Sequence, residues 1–260
     1  MLDSWRSGDP YEYYMGRWSK LVAERFVDWL SPKSGCEWLD VGCGSGALSE
    51  AVISRCAPKT VIAVDQSDGF VRTAQQRLGG NAVCKVGDAL SLPLNNATID
   101  IAVSGLVLNF IPDPAKALGE MKRVTRKGGI VAVYVWDYAG KMEFLRYFWD
   151  AVVGINPSAI DLHESHRFPD SNAEHLFDAF NHAGFSQVEV APVEIVTHFK
   201  DFDDYWNPFL GGQGPAPTYV SNSGDTEKNE LMKALARRLP VEEDGSIILT
   251  SRAWASKGIA

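Results

Sequence analysis

The chain has 260 residues, and 25 Lys and Arg against 33 Asp and Glu leave a formal charge of −8. Hydrophobic residues make up 45% and charged residues 22%, the mixture of an ordinary soluble globular protein. The acidic balance argues against a general nucleic-acid binder, which needs a basic face against phosphates. No apolar run approaches the ~20 residues that span a bilayer.

The opening Met-Leu-Asp-Ser-Trp-Arg-Ser-Gly-Asp-Pro has no apolar stretch, so no secretion signal is expected. Cys36, Cys43, Cys56 and Cys84 form no Cys-x-x-Cys, and reduced thiols in a cytoplasmic protein are the expectation. A helix over about 18–30 is predicted from Trp18, Leu21, Val22, Phe26 and Trp29/Leu30 at helical spacing. The strand-like run 36–41 ends at a glycine cluster, and 47–57 reads as a helix with Leu48, Val52 and Ile53 on one face. Thr60 to Val64 is a strand stopping at Asp65, and Ser67 or Asp68 caps a helix running to about Leu78.

A weaker strand at 82–86 and another from Ile99 to Ser104 follow, then a helix after Pro112-Asp113-Pro114 that Gly128-Gly129 is expected to end. Ile130 to Trp136 is almost wholly apolar, as a strand covered on both faces must be. Helices are predicted at 141–153, 171–183 and 225–239, with strands at Gln187 to Phe199, broken or placed on an edge by Pro192, and Ile247 to Ala255. Residues 200–224 read as a structured insertion. The alternation points to an α/β, Rossmann-like three-layer sandwich in a single domain over 1–260. Its core lies at about 18–137, with inserted elements over its top at about 1–17, 138–180 and 200–224.

The strongest local signal is Leu39-Asp40-Val41-Gly42-Cys43-Gly44-Ser45-Gly46, a glycine loop between a strand and a helix. Its glycines let a ligand touch main chain, and the helix behind it offers unpaired N–H groups. Gly42-x-Gly44-x-x-Ala47 also satisfies the dinucleotide fingerprint, so a nicotinamide-dependent oxidoreductase is one reading. Asp65, at the end of the second strand, suits the hydroxyls of an adenosine ribose under either reading. Asp40 and Asp88 separate the two. Acids at three successive strand ends make a crevice that repels a pyrophosphate and suits a positively charged adenosine.

Leu39–Gly46, Val61–Ser67, Val86–Leu94, Ile99–Pro114 and Arg123–Trp136 together resemble the successive motifs of class I S-adenosylmethionine-dependent methyltransferases. The subgroup is similar to the small-molecule enzymes related to the ubiquinone/menaquinone C-methyltransferases. The resemblance implies a seven-stranded, mostly parallel sheet with an antiparallel last pair, and S-adenosyl-L-methionine as cofactor. It implies that Gly42, Cys43, Gly44 and Gly46 surround the methionine part, with Asp40 in the same crevice. Asp65 and Gln66 would hold the ribose and Asp88 and Ala89 the adenine, while Ser104 approaches the methionine end. The stretch Tyr11 to Trp18 is similar to that subgroup's lid, so Tyr14 and Arg17 would close over the cofactor, Arg17 on its carboxylate.

Methyl transfer from a sulfonium requires alignment and exclusion of water, and a base only where the acceptor must lose a proton. No catalytic constellation stands out. His163, His166 and Tyr138 are the candidates, with Asp137 beside Tyr138; solvated loop histidines are the alternative for the first two. No residues at metal-ligand spacing occur. The motifs of DNA amino- and cytosine-methyltransferases are absent, which points away from nucleic acid. The aromatics of Phe144–Trp149 and Phe199–Phe209 suit either an apolar or aromatic small acceptor or a lid packed on the sheet, with Gly211–Pro217 as its hinge or rim. A non-catalytic cofactor-binding protein of the same fold is a third reading.

Overall fold

A computed structural model describes residues 12–211 and 214–260. A π-helical turn, Glu12–Gly16, leads into helix α1, Arg17–Leu30, whose Trp18, Val22 and Phe26 form one buried stripe. Strand β1, Glu37–Val41, the glycine loop and α2, Ala47–Cys56, follow. Strand β2, Thr60–Asp65, ends at the expected acid. Ser67 caps α3, Asp68–Leu78, its hydroxyl accepting from the Phe70 N–H at 3.4 Å. After β3, Val83–Val86, and β4, Ile99–Gly105, Asp113 caps α4, Pro114–Val124, by accepting from the Lys116 N–H at 2.9 Å.

Here the glycine pair departs from expectation. Gly128-Gly129 does not end α4; the helix stops at Val124 and β5, Thr125–Trp136, runs through both glycines. Thr125 starts the strand by pairing with Ile99, and the register shifts before Ile130 meets Ile101. A Cβ on Gly129 would lie 2.6 Å from the Asp100 carbonyl oxygen, so glycine is there for close strand approach, not as a helix stop.

The second half contributes α5, Glu143–Ile155, the short α6, Glu164–Arg167, α7, Ala173–His182, and β6, Ser186–Phe199. Then come α8, Phe202–Trp206, α9, Pro215–Asn222, α10, Asp225–Arg238, and β7, Ile247–Ile259. The last strand is four residues longer than its hydrophobic pattern, because Ser256–Ile259 pair with β5 as well as β6. The sheet order is β3-β2-β1-β4-β5-β7-β6. Strands β1 to β5 are parallel and β7 is antiparallel to both neighbours. Pro192 lies on the edge strand, where a missing N–H costs least.

Alternate strand residues feed two apolar layers. Trp38, Ile101, Val103 and Ala132 pack on the α1 side, while Leu39, Ala102, Val131 and Val133 pack with Leu118 and Met121 of α4 and Phe180 of α7. Both faces of β5 are therefore covered, which explains its unbroken apolar run. Strand order reverses between β1 and β4, so the loops that follow them part and leave a crevice at the carboxyl edge.

An aromatic cluster joins α5, the end of β6 and the segment 202–211. Phe144, Phe148, Phe199, Tyr205 and Phe209 are fully buried; the Phe148 and Phe209 rings stack at 4.3 Å, and the Tyr205 hydroxyl donates to the Phe144 carbonyl at 2.9 Å. These five rings pack on one another and do not line the cavity at the carboxyl edge. Among the described residues no helix is long and apolar enough to cross a membrane.

Candidate functional site

The crevice is a cavity of about 570 Å³, within the range of small-molecule sites. One wall is the glycine loop with the start of α2, lined by Gly42, Cys43, Gly44, Ser45, Ala47 and Leu48. The loop is pinned to β2 because the N–H groups of Gly42 and Cys43 both donate to the Val64 carbonyl, at 2.7 and 3.0 Å. Gly42 sits at φ +73°, and a Cβ there would meet Val107 Cγ1 at 2.6 Å. Val107 belongs to the opposing loop after β4, where Leu106 holds a left-handed φ of 62°. Strain of that kind in a non-glycine residue costs about 1–3 kcal/mol and collects at ligand sites.

Two carboxylates face this wall, Asp40 buried and Asp65 half-buried. Asp65 accepts from the Gly44 N–H at 2.9 Å through one oxygen and from the Ser67 N–H at 2.8 Å through the other. Burial pushes its carboxyl up, against those two backbone bonds. Four lone-pair positions leave room for further donors such as ribose hydroxyls. Asp40 Oδ2 accepts from the Ser49 hydroxyl at 2.7 Å, while Oδ1 is buried with no hydrogen-bond partner among the described residues. Burial pushes the Asp40 carboxyl up to about 7; the Ser49 bond opposes this and the neighbouring Asp65 charge adds to it.

The π-helical turn crosses the glycine loop and is latched to it. Ser45 Oγ donates to Glu12 Oε1 at 2.5 Å, and Arg77 donates to Glu12 Oε2 at 2.5 Å and to Ser45 Oγ at 3.1 Å. This places Tyr14 and Met15 in the cavity wall. The Tyr14 hydroxyl is buried and has no hydrogen-bond partner among the described residues, and the same holds for both amide atoms of Asn109. Burial pushes the Tyr14 phenol well up, with the nearby Glu164 charge adding to it. Tyr134, Trp136, Tyr138, Phe110 and Phe168 supply the far wall, with Glu164 and Arg167 from α6.

Of the residues expected from sequence, Tyr14, Asp40, Gly42, Cys43, Gly44, Asp65, Gln66 and Tyr138 come together around the cavity. Gly46 stands behind the loop against Leu78 and Ala74. Arg17 turns away: it pairs with Asp204 at 3.1 Å and lies over the rings of Trp18 and Phe199. Ser104 is also committed elsewhere, its hydroxyl donating to the Val41 carbonyl at 2.7 Å to tie β4 to β1. Its successors Gly105, Leu106 and Val107 reach the cavity instead. Asp88 is exposed and closes a turn by accepting from the Leu90 N–H at 2.8 Å, so it and Ala89 lie outside the wall.

His163 caps α6, its Nδ1 accepting from the Ser165 N–H at 3.1 Å, with Nε2 at 3.4 Å from Asp150. Burial holds its pKa down, against the pull of Asp150. Neither it nor the exposed His166 lines the cavity; the residue after each does. Glu164 and Arg167, three apart, share one helix face, a spacing the two histidines drew attention away from. Asp137 is taken up by Arg252 and by the N–H groups of Gly140 and Lys141, each at 3.1 Å. Pro215 brings the expected rim to the cavity; Tyr11 of the lid stretch and Gly212 and Gln213 of the rim lie outside the described residues.

Residues 39–133 match the family model described as a methyltransferase domain. The chain is 35% identical over 133 residues to the malonyl-[acyl-carrier protein] O-methyltransferase of Serratia marcescens, which covers 51% of each chain. It is 29% identical over 119 residues to the ubiquinone/menaquinone biosynthesis C-methyltransferase UbiE of Roseobacter denitrificans, covering 44% of this chain and 48% of that one. The chain thus spans about half the length of the curated relatives it matches. Among solved structures, the Haemonchus contortus phosphoethanolamine N-methyltransferase 2, in complex with phosphomonomethylethanolamine and S-adenosylhomocysteine, aligns with a TM-score of 0.55. That alignment covers 96% of this chain and 56% of the other at 17% identity, a likeness of fold.

Proposed function

We propose that the chain, whose residues 39–133 match a methyltransferase domain, is a class I S-adenosylmethionine-dependent methyltransferase that transfers the methyl group to a small, largely apolar acceptor. One observation carries this reading: buried polar atoms that lack described partners, on Tyr14, Asp40 and Asn109, stand beside a glycine cradle in a cavity at the switch point of the sheet. A buried polar group without a partner costs about 1–3 kcal/mol, so a polar ligand is the natural complement of that wall.

When bound, the cofactor supplies an electrophilic methyl group on a positively charged sulfur. The chain's own residues bind and shield. Asp65 accepts from the ribose hydroxyls while holding the loop through Gly44 and Ser67. Asp40 would set a carboxylate against the positive charge, and the glycine loop would present its backbone to the ligand. Tyr14 and the latched π-helical turn cover the site and keep water out. Alignment of two bound reactants contributes ~7–11 kcal/mol in favourable cases, which lets such a site work without a dedicated base.

The relatives are named for three different methylations, of malonyl-[acyl-carrier protein] on oxygen, in ubiquinone/menaquinone biosynthesis on carbon and of phosphoethanolamine on nitrogen, so the acceptor of this chain is inferred from its own cavity wall. In this reading one undivided domain carries both halves of the site. The proposed compartment is the cytoplasm, where the thiols of Cys36, Cys43, Cys56 and Cys84 stay reduced. Calorimetric titration with S-adenosylmethionine, S-adenosylhomocysteine and NAD tests the reading. Micromolar binding of the first two and none of NAD is expected; binding of NAD alone overturns it.

A further inference from the structure

The far wall of the cavity combines two features that point to one kind of ligand. The first is a set of rings. Phe168 stacks on Tyr138 with centroids 5.1 Å apart and meets Phe110 edge-on at 5.1 Å, and Tyr14 and Trp136 complete the wall. The second is a carboxylate. Glu164 is only 4% exposed, begins α6 and lines the same cavity. Its charge is felt by the Tyr14 phenol. Tyr14 is itself 4% exposed, and its hydroxyl has no hydrogen-bond partner among the described residues.

Ring faces and a carboxylate are each attractive to an organic cation. Among the described residues lining the cavity the acids are Asp40, Asp65 and Glu164, and the one base is Arg167. Arg167 is already engaged, its guanidinium 4.9 Å from the centre of the Phe168 ring. An anionic ligand on the far wall would therefore meet the like charge of Glu164, whose carboxylate favours a cation there. A carboxylate has about four lone-pair positions, so Glu164 accepts an ammonium N–H alongside its other contacts.

We propose that the acceptor site recognises a protonated arylalkylamine, its ammonium held by Glu164 and the Tyr14 hydroxyl and its ring laid against Tyr138, Phe168 and Trp136. The inference rests on the methyl-transfer reading for calling this ligand the acceptor, but the recognition itself is a property of the far wall. Glu164 and Tyr14 are binding residues in it; a protonated amine has no lone pair, so the ammonium anchors the ligand and is not the atom that takes the methyl group.

The test is calorimetric titration of the protein, saturated with S-adenosylhomocysteine, with 2-phenylethylamine, 2-phenylethanol and 3-phenylpropionate. A charge-assisted bond is about twice as strong as a neutral one, so the amine is expected to bind roughly tenfold more tightly than the alcohol, with the carboxylate weakest. Glu164→Gln keeps the shape and should bring the amine to within about threefold of the alcohol. Tyr14→Phe keeps the ring and should weaken the amine severalfold, an independent arm should the first variant fail to fold. The proposal is overturned by an alcohol or carboxylate that binds as tightly as the amine, by no binding of any probe, or by a folded Glu164→Gln that retains the full preference. If S-adenosylhomocysteine itself does not bind, the methyl-transfer reading fails separately, and the same probes titrated into the free protein still decide the amine.

Discussion

The two walls of the cavity are held in different ways. On the glycine-loop side, the polar groups sit at strand ends and are tied by short backbone bonds, Val64 to the loop and Asp65 to both Gly44 and Ser67. On the far side, rings and one carboxylate come from a strand end, a short helix and the loop after β4, and aromatic packing sets their places. A wall built on parallel strands keeps its geometry whatever the surface elements do. A wall carried by short helices depends on what packs behind them, so the proposed roles predict that cofactor recognition and acceptor choice are altered separately.

The largest break in that comparison is expected at Asp65. Asp65→Ala should weaken S-adenosylhomocysteine binding by about 2–3 kcal/mol, since charge-assisted bonds to the ribose are lost, yet leave the affinity for 2-phenylethylamine within about twofold. Calorimetry on the folded variant checks both numbers, and an unchanged cofactor affinity removes Asp65 from the site. Gly42→Ala comes next. Its positive φ and the contact with Val107 should cost about 1–3 kcal/mol in thermal unfolding. Adding Val107→Ala should recover only the steric part.

Asp40 sharpens the comparison through pH. Its carboxyl is pushed from 3.8 up to about 7, chiefly by burial, so the native state holds that proton more tightly than the unfolded chain. Stability of the ligand-free protein should then fall as pH rises from about 4 through about 7. A cationic cofactor favours the ionised form, so S-adenosylmethionine should bind roughly tenfold more tightly at about pH 8 than at about pH 6. S-adenosylhomocysteine, with no sulfonium charge, should gain less. Asp40→Asn should flatten both profiles; a dependence that survives it assigns the titration elsewhere.

The smallest effect is expected at Arg17. Its pair with Asp204 is exposed on both sides, so Arg17→Ala should change stability by less than about 1 kcal/mol and leave cofactor affinity untouched. A large loss of affinity would instead return Arg17 to the cofactor carboxylate.

Elements that answer to local chemistry were legible in the chain before any contact was known. Ser67 caps a helix where a short polar side chain precedes an apolar stripe. Misreadings fall where two local meanings compete. Gly128-Gly129 has the form of a helix stop, but close approach to Asp100 makes it part of a strand. His163 and His166 drew notice as titratable groups, although burial and capping occupy the first, and their neighbours Glu164 and Arg167 reach the cavity.

What the sequence by itself determined is the carboxyl edge of the sheet: the order of strands and helices, the glycine loop, and the acids at the ends of β1 and β2. The reason is that hydrophobic period, turn chemistry and strand-end position are properties of a few neighbouring residues. What only the tertiary structure decided is which side chains face the ligand from afar. Tyr14 is carried in by the latch from Glu12 to Ser45 and Arg77, Arg17 is drawn off by Asp204, Ser104 by Val41, and the lid aromatics by one another. Each of those outcomes is a competition between distant partners for one side chain, and burial across the whole fold settles it.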